Sequence, residues 1–284
     1  MIPKPVILDI SEWQAPSQIN YDQLSQQIDG VIVRVQYGSL YTDKHYQTHI
    51  RAFQAHKIPV GVYAWVRGTS ISNMEQEAAD FYQRAKAFQP TFWWLDVEEH
   101  SMANMRAGCE AFRKKLKALG AKKVGAYIAN HLYASFQLDT DKFDGIWLPT
   151  YGQNTGSYQG ANPTASKKYN LHQYTSAGKL KGYAGPLDLN RLAKGDFADF
   201  FGAASKPVPK PTAFGLRFQL QTAVYLRKAP KTTAASMAIL RKGDQVILKQ
   251  VQSSEGYLWG EQARQDGSSG YLALGLFNPY GTFI

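Results

Sequence analysis

Residues 1–202 alternate short, nearly continuous apolar runs with amphipathic stretches, and this alternation limits the fold more than any other feature. The runs are PVILDIS from Pro5, GVIVRV from Gly30, VGVYAWV from Val60 and TFWWLDVE from Thr91, followed by VGAYIA from Val124, GIWLPTY from Gly145 and LHQYT from Leu171. A strand that is apolar at every position is covered on both faces, as in a parallel sheet flanked by helices. Between the runs lie helical patterns. After Ser101, the residues Met105, Cys109, Phe112, Leu116 and Leu119 recur at three- and four-residue steps, with Ser101 as the expected N-cap and Gly120 as the expected stop. Repeated strand–helix–strand order in about 200 residues predicts an α/β barrel, and the shortening of the pattern after this helix makes it irregular.

From Ala203 the chain reads AASKPVPKPTA, a proline-rich spacer over 203–213. Beyond it, AVYLRKAP, QVILKQVQ, YLWGEQA and GYLALGLF are short β-type runs separated by the turn signals KGD at Lys242 and QDGSSG at Gln265, so residues 214–284 are expected to form a small all-β barrel. Residues 203–284, spacer included, carry 10 Lys/Arg against 4 Asp/Glu, more than half of the chain's net charge of +10. Such an excess suits a polyanionic partner such as a wall polymer, a membrane surface or nucleic acid, and equally a merely solubilising surface. The single Cys109 excludes an intramolecular disulfide and falls on the apolar stripe of its helix, where it reads as a small buried hydrophobe. The N-terminal MIPKPVILDIS lacks the apolar core of a signal peptide, and no apolar stretch approaches the roughly 20 residues of a membrane span. The expectation is a chain made in the cytoplasm without an export signal, acting elsewhere after release.

The chemistry is concentrated in TFWWLDVEEH. Asp96 and Glu98 are two apart on a strand and so face the same way, at the C-terminal end where barrel enzymes build their sites. Glu99 alternates to the opposite face. Asp9 ends the first apolar run, and Asp188 lies in GPLDLN, after the last one. In a closed barrel the first and last strands are neighbours, so Asp9 and Asp188 are expected on one edge of the mouth, with Asp96 and Glu98 opposite. Four acids converging on one cavity suit the stabilisation of a positively charged, oxocarbenium-like transition state. Tyr63 and Trp65 share a strand face, and Tyr127, Trp147 and Tyr151 end later strands; all five are candidates for a sugar platform, or simply for core. Gln173 and Asn190 are candidates for ligand hydrogen bonds.

These segments resemble glycoside hydrolase family 25, the lysozymes that include many phage endolysins. The resemblance runs through DISEWQ at Asp9, VIVRVQYG around Arg34, DKHYQTHIRAFQAHKIPVGVYAWV from Asp43, WWLDVEE and LHQYTSAGKLKGYAGPLDLN, covering residues 5–196. It implies an irregular, flattened β/α barrel that cleaves the β-1,4 bond after N-acetylmuramic acid in bacterial peptidoglycan. It further implies that Glu98 is the general acid, that Asp96 steers the acetamido group or acts directly on the sugar carbon, and that Asp9 and Asp188 line the site. The C-terminal part resembles the bacterial SH3-like domains attached to wall hydrolases, which implies a wall-binding role for a ligand the resemblance does not identify.

No cofactor or metal is expected. His45 and His49 are four apart on a helix, but H-E-x-x-H is absent and both read as surface residues flanking the stripe Tyr46, Ile50 and Phe53. His100 fits no nucleophile–His spacing, RKKLK at Arg113 is a solvated helix face, and no glycine loop cradles phosphate. Two alternatives stand beside the muramidase. A chitinase-like N-acetylglucosamine hydrolase is disfavoured because Phe92 and Trp94 occupy positions where further spaced acids are usual. A non-catalytic wall-binding protein could have lost an acid, and none of the four is missing. A nucleic-acid partner is not expected, since no recognition motif is present.

Overall fold

The alternating runs close into a barrel. The computed structural model describes residues 2–202, 216–264, 268–275 and 281–283, and the chain divides into two compact units, Met1–Ser205 and Lys206–Ile284. The expected spacer at 203–213 lies outside the described residues, as does the start of the QDGSSG turn.

In the first unit the strands are β1 (Ile7–Ile10), β2 (Gly30–Tyr37), β3 (Tyr41–Thr42), β4 (Val60–Trp65), β5 (Trp93–Val97), β6 (Val124–Ile128), β7 (Ile146–Pro149), β8 (Leu171–Gly178) and β9 (Leu187–Leu192). Eight of them close in the order β1-β9-β8-β7-β6-β5-β4-β2 and back to β1, with β3 paired outside on β2. Neighbours from β1 through β2 and β4 to β8 run parallel, whereas β9 runs antiparallel to both β8 and β1. This last strand corrects the sequence reading in one respect. LDLN is short and half polar and carries no strand signal of its own, yet it supplies the strand that shuts the barrel.

Side-chain parity explains why the runs are apolar throughout. One set of alternate residues, including Leu8, Val33, Val62, Leu95, Ala126 and Leu189, packs outward in the large core. The other set, including Ile7, Ile32, Tyr63, Trp94, Tyr127 and Trp147, forms a separate cluster that fills the barrel. The helices α1 (Tyr21–Ser25), α2 (Tyr46–Ala55), α3 (Ile71–Ala85) and α4 (Met105–Leu119) connect the early strands, while α5 (Tyr133–Phe136) is a single turn and β7 to β9 are joined without a helix. That loss of helices is the irregularity expected. A last helix, α6 (Phe197–Phe201), sends Phe200 against Phe92 and Trp94, at ring-centroid distances of 5.3 and 6.1 Å, and so plugs the barrel end away from the strand C-termini.

Helix ends follow local chemistry. Gly120 terminates α4 at φ 111°, a left-handed position that glycine adopts without strain. The N-cap is Asn104, whose side chain accepts from the Ala107 N–H at 3.0 Å, and not Ser101, whose hydroxyl instead donates to the Gly68 carbonyl at 2.9 Å. Cys109 is fully buried, as expected. His49 is a second correction. It lies three residues after Tyr46, close enough to the stripe for its ring to be buried, and its Nδ1 pairs with the Tyr21 hydroxyl at 2.7 Å.

Trp94 fills the barrel only because Gly125 leaves room for it. A Cβ at that position would lie 2.4 Å from the Trp94 ring and 2.7 Å from the Gly145 carbonyl oxygen. Gly125→Ala is therefore expected to destabilise the unit by about 1–3 kcal/mol through overpacking. A thermal melt unchanged from wild type would contradict this.

The second unit comprises β10 (Leu216–Leu220), β11 (Val224–Arg227), β12 (Ser236–Leu240), β13 (Gln245–Leu248), β14 (Gln250–Ser254), β15 (Tyr257–Ala263), β16 (Ser269–Gly275) and β17 (Gly281–Phe283), with no helix among the described residues. They form two antiparallel sheets, β13-β10-β17 and β12-β11-β16-β15-β14, around a core of Phe218, Leu220, Val224, Leu226, Val246, Leu248, Leu272 and Leu274. The KGD turn joins β12 to β13, with Gly243 at φ 91°. Across the described residues, no helix is long and apolar enough to cross a membrane.

Candidate active site

A cleft of about 210 Å³ opens among the strand ends of the barrel, and Asp9, Asp96, Glu98 and Asp188 all line it. Asp9 on β1 faces Asp188 directly across the β1–β9 pair. Counted either way round the barrel, β5, which carries Asp96 and leads into Glu98, is the fourth strand from β9. The two pairs of acids therefore approach one space from opposite walls.

Burial sets their protonation. Asp9 is raised to about 6 by loss of solvent, despite compensating hydrogen bonds from the Gln173 amide at 3.0 Å and the Asn190 amide at 2.7 Å. Asp188 is raised to about 8 by burial and by the nearby Asp9 and Glu98 charges. Asp96 is held well above the usual carboxylate range, first by burial and then by Glu98, and burial also raises Glu98. The Glu98 charge adds to the burial that raises Asp96, so the pair resists carrying two full charges at once.

The expected aromatics divide into two groups. Tyr63, Trp65, Tyr127, Trp147 and Tyr151 all border the cleft. Trp65 and Tyr151 are partly exposed there, whereas Tyr127 and Trp147 are 4% and 2% exposed and form its floor. The Tyr127 and Tyr151 hydroxyls donate to Gln173 Oε1 at 2.9 and 2.7 Å, while the Gln173 amide nitrogen holds Asp9. Trp147 Nε1 donates to Asn190 Oδ1 at 2.8 Å. Asn190 is fully buried and does not border the cleft, which corrects its reading as a ligand-binding residue. Its amide is used up in orienting Asp9 and Trp147, because β9 turns it inward one step below Asp188.

The sequence reading passed over Ser11, Trp13 and Arg34, which also line the cleft. Ser11 and Trp13 follow the end of β1, beyond strand parity, and Trp13 is 75% exposed. Arg34 had a legible signal: a cation two residues after Ile32 on the inward face of an otherwise apolar strand. It pairs with Asp43 at 2.9 Å and Glu12 at 3.5 Å. Glu99 is also closer to the site than alternation implies. The strand stops at Val97, and Glu99 accepts from Trp65 Nε1 at 3.1 Å and Arg67 Nε at 2.6 Å, fixing the ring that borders the cleft.

A family model for glycosyl hydrolases family 25 matches residues 8–183. The chain belongs to that family. Among family 25 members of known structure, a glycosyl hydrolase 25 of Streptococcus pneumoniae, described as a virulence factor participating in host cell invasion, is 40% identical with a TM-score of 0.67, over 70% of this chain and 93% of its own. The catalytic domain of the endolysin ply40 from bacteriophage P40 of Listeria monocytogenes is 28% identical with a TM-score of 0.65, over 70% of this chain and 97% of its own. The modular autolysin LytC of S. pneumoniae, solved with a synthetic peptidoglycan ligand, shares the fold at 22% identity and a TM-score of 0.53, over 66% of this chain and 46% of its own. Comparison with curated protein sequences gave no match. As a family 25 protein the chain is a glycoside hydrolase.

Protonated carboxyls in the family 25 cleft have a consequence for stability. An acid whose pKa is raised by folding binds more protons folded than unfolded, so its contribution is present at low pH and lost as pH rises toward the folded value. His49 and His172, lowered to about 4, act with the opposite sign, but only between about 4 and 6.5. Between pH 6.5 and 8 the carboxyls dominate, above all Asp188 with its value of about 8. The melting temperature is expected to fall across that window, and Asp188→Asn to flatten the fall. A wild-type melting temperature that rises from pH 6.5 to 8 would contradict the assignment.

Proposed function

We propose that the chain is a peptidoglycan hydrolase of the muramidase type, cutting the β-1,4 bond between N-acetylmuramic acid and N-acetylglucosamine. The observation that carries this reading is the gathering of Asp9, Asp96, Glu98 and Asp188 in one aromatic-walled cleft. The Listeria phage endolysin domain and the autolysin solved with a peptidoglycan ligand lend it support.

In the proposed reaction Glu98 gives its proton to the bridging oxygen, and the burial that raises its pKa favours the protonated form this needs. Positive charge then develops at the anomeric carbon beside the β1–β9 wall, where the Asp9 carboxylate opposes it and Asp188, raised to about 8, lines the site and adds negative charge only as pH rises. Asp96 holds the acetamido group or meets the sugar carbon directly, and water then adds to the anomeric carbon while its proton returns to Glu98. Gln173 and Asn190 act through Asp9, fixing its carboxylate before substrate arrives. Trp65 and Tyr151 present ring faces to the sugar.

The C-terminal unit is proposed to be an SH3-like domain that holds the enzyme on the wall through its excess of Lys and Arg, raising local substrate concentration. Likeness to the Listeria phage endolysin domain favours an endolysin of phage or prophage origin, made in the cytoplasm and acting on the wall after release. Mass spectrometry of digested, borohydride-reduced peptidoglycan tests the bond. Reduced muramic acid ends are expected; reduced glucosamine ends, or freed stem peptides alone, would replace the muramidase by another activity.

A further inference from the structure

The second unit carries a groove of its own. Along β11 the side chains alternate: Val224 and Leu226 enter the core with Leu272 and Leu274, so Tyr225 and Arg227 stand on the opposite face of the five-stranded sheet. Cross-strand register places Ala273 and Trp259 on that same face, since Arg227 pairs with Tyr271 and Ala273 with Trp259. Together with Thr232 and Tyr257 these side chains line a groove of about 360 Å³. Small-ligand sites occupy roughly 300–1,000 Å³.

The groove is built to hold its shape. Trp259 is 1% exposed although it lies on the face away from the core, and its Nε1 donates to the Ser254 carbonyl at 2.9 Å. The Thr232 N–H and hydroxyl both donate to Glu255, at 2.7 and 2.9 Å, tying the β11–β12 connection to the β14–β15 turn. Arg227 is oriented as well. Its guanidinium lies 5.0 Å from the centre of the Tyr225 ring, and Nη1 donates to the Ala234 carbonyl at 2.7 Å. None of the described residues that line the groove is acidic, so the guanidinium faces it without a carboxylate of the protein's own.

We propose that this groove binds the free, uncross-linked stem peptide of peptidoglycan, its C-terminal carboxylate on Arg227 and its alanine methyl groups against Ala273, between Tyr225 and Tyr257. This rests on the wall-binding reading of the second unit above. A guanidinium is a planar fork of N–H donors that matches a carboxylate, and the bond to Ala234 uses only part of that fork. The short Ala273 side chain on the floor admits small side chains and crowds large ones. A glycan fits less well, because the guanidinium covers one face of Tyr225 and Trp259 is buried, so neither offers a pyranose an open ring face. A phosphate polymer needs a track of cations, and Arg227 is the one cation among the described lining residues.

The probe is the synthetic pentapeptide L-Ala-γ-D-Glu-L-Lys-D-Ala-D-Ala, titrated into the full-length chain and followed by calorimetry. Saturable binding is expected. Amidation of the peptide's C-terminus, which leaves the protein untouched, should weaken it about 10- to 100-fold, the worth of hydrogen bonds to a charged group. Arg227→Gln should weaken the acid peptide by a similar factor and bind acid and amide peptides about equally. Equal binding of the two peptides by the wild-type chain overturns the proposal, as does saturation by poly(glycerol phosphate) with no heat from the peptide. Sedimentation of full-length Glu98→Gln with purified walls separates this from failure of the underlying reading. Adding Arg227→Gln is expected to lower the sedimented fraction. If replacing the exposed Lys228, Lys231 and Lys242 by Gln lowers it and Arg227→Gln does not, the second unit anchors the enzyme without the groove, and the proposal falls alone. If neither change lowers it, the anchoring reading falls and takes the groove with it.

Discussion

Glu98→Gln is expected to lower hydrolysis of purified peptidoglycan by about 10²–10⁴-fold, the range that a positioned general acid contributes. Glutamine keeps the shape, but it has no proton to give to the leaving oxygen. Its effect on folding should be slight and favourable. Among the described residues Glu98 forms no ion pair, and its carboxyl is one of several crowded in a site that raises them all. Replacing it by a neutral group relieves that crowding. The expected result is thus loss of turbidity clearance together with a melting temperature equal to or above wild type. Clearance at the wild-type rate would take the proton-donor role away from Glu98. Loss of both activity and fold would mean that the carboxyl is structural.

How far the sequence could lead depended on whether periodicity or tertiary contact decided a residue's fate. The apolar runs of β1, β2 and β4 to β8 were legible because burial on both faces leaves few polar positions outside the site. Asp96 and Glu98 were legible because strand parity carries just past Val97, whereas Glu99 and Trp13 sit where chain direction is set by loops and parity fails. β9 was hidden, since LDLN places Asp188 and Asn190 inward and leaves few apolar residues to mark a strand. Ser101 and Asn104 are equally good capping residues by type, and only the Ala107 N–H chooses between them. The burial of His49 was not legible because it depends on Tyr21, a residue of another helix that accommodates the imidazole. Asn190 lies in the expected neighbourhood but serves the protein and not the ligand, and its partners Asp9 and Trp147 are 181 and 43 residues away in sequence.

The remaining large effect concerns Arg34, which carries positive charge into the wall of a cleft crowded with acids. Asp43 has a side chain with no exposure and takes three hydrogen bonds, from Arg34 Nε at 2.9 Å, the Glu12 N–H at 3.0 Å and the His45 N–H at 3.2 Å. Both Glu12 carboxylate oxygens lie within hydrogen-bond reach of the single Tyr41 O–H, at 2.8 and 2.7 Å, and Glu12 also faces the guanidinium. Arg34→Met keeps most of the side-chain volume and strands Asp43 without its cation. Breaking a buried pair from one side costs about 3–5 kcal/mol, because the remaining charge is left in a low-dielectric site. For a unit of this size that is a fall in melting temperature on the order of 10 °C. The deficit also has a direction in pH. Burial already raises Asp43, and Arg34 is the strongest influence opposing that rise. Without Arg34 the folded value climbs further, so stability is lost as pH rises from the unfolded value of 3.8 toward it, and the variant should lie closer to wild type at pH 5 than at pH 7.5. Adding Asp43→Asn to Arg34→Met removes the stranded charge and is expected to recover more than half of the loss, since replacing both partners of a buried pair is far milder than removing one. Melting followed by tryptophan fluorescence at the two pH values decides the matter. If Arg34→Met melts within a degree or two of wild type at pH 7.5, the pair does not hold the mouth of the barrel, and the position of Trp13 and Ser11 must be set by the backbone turn after β1 alone.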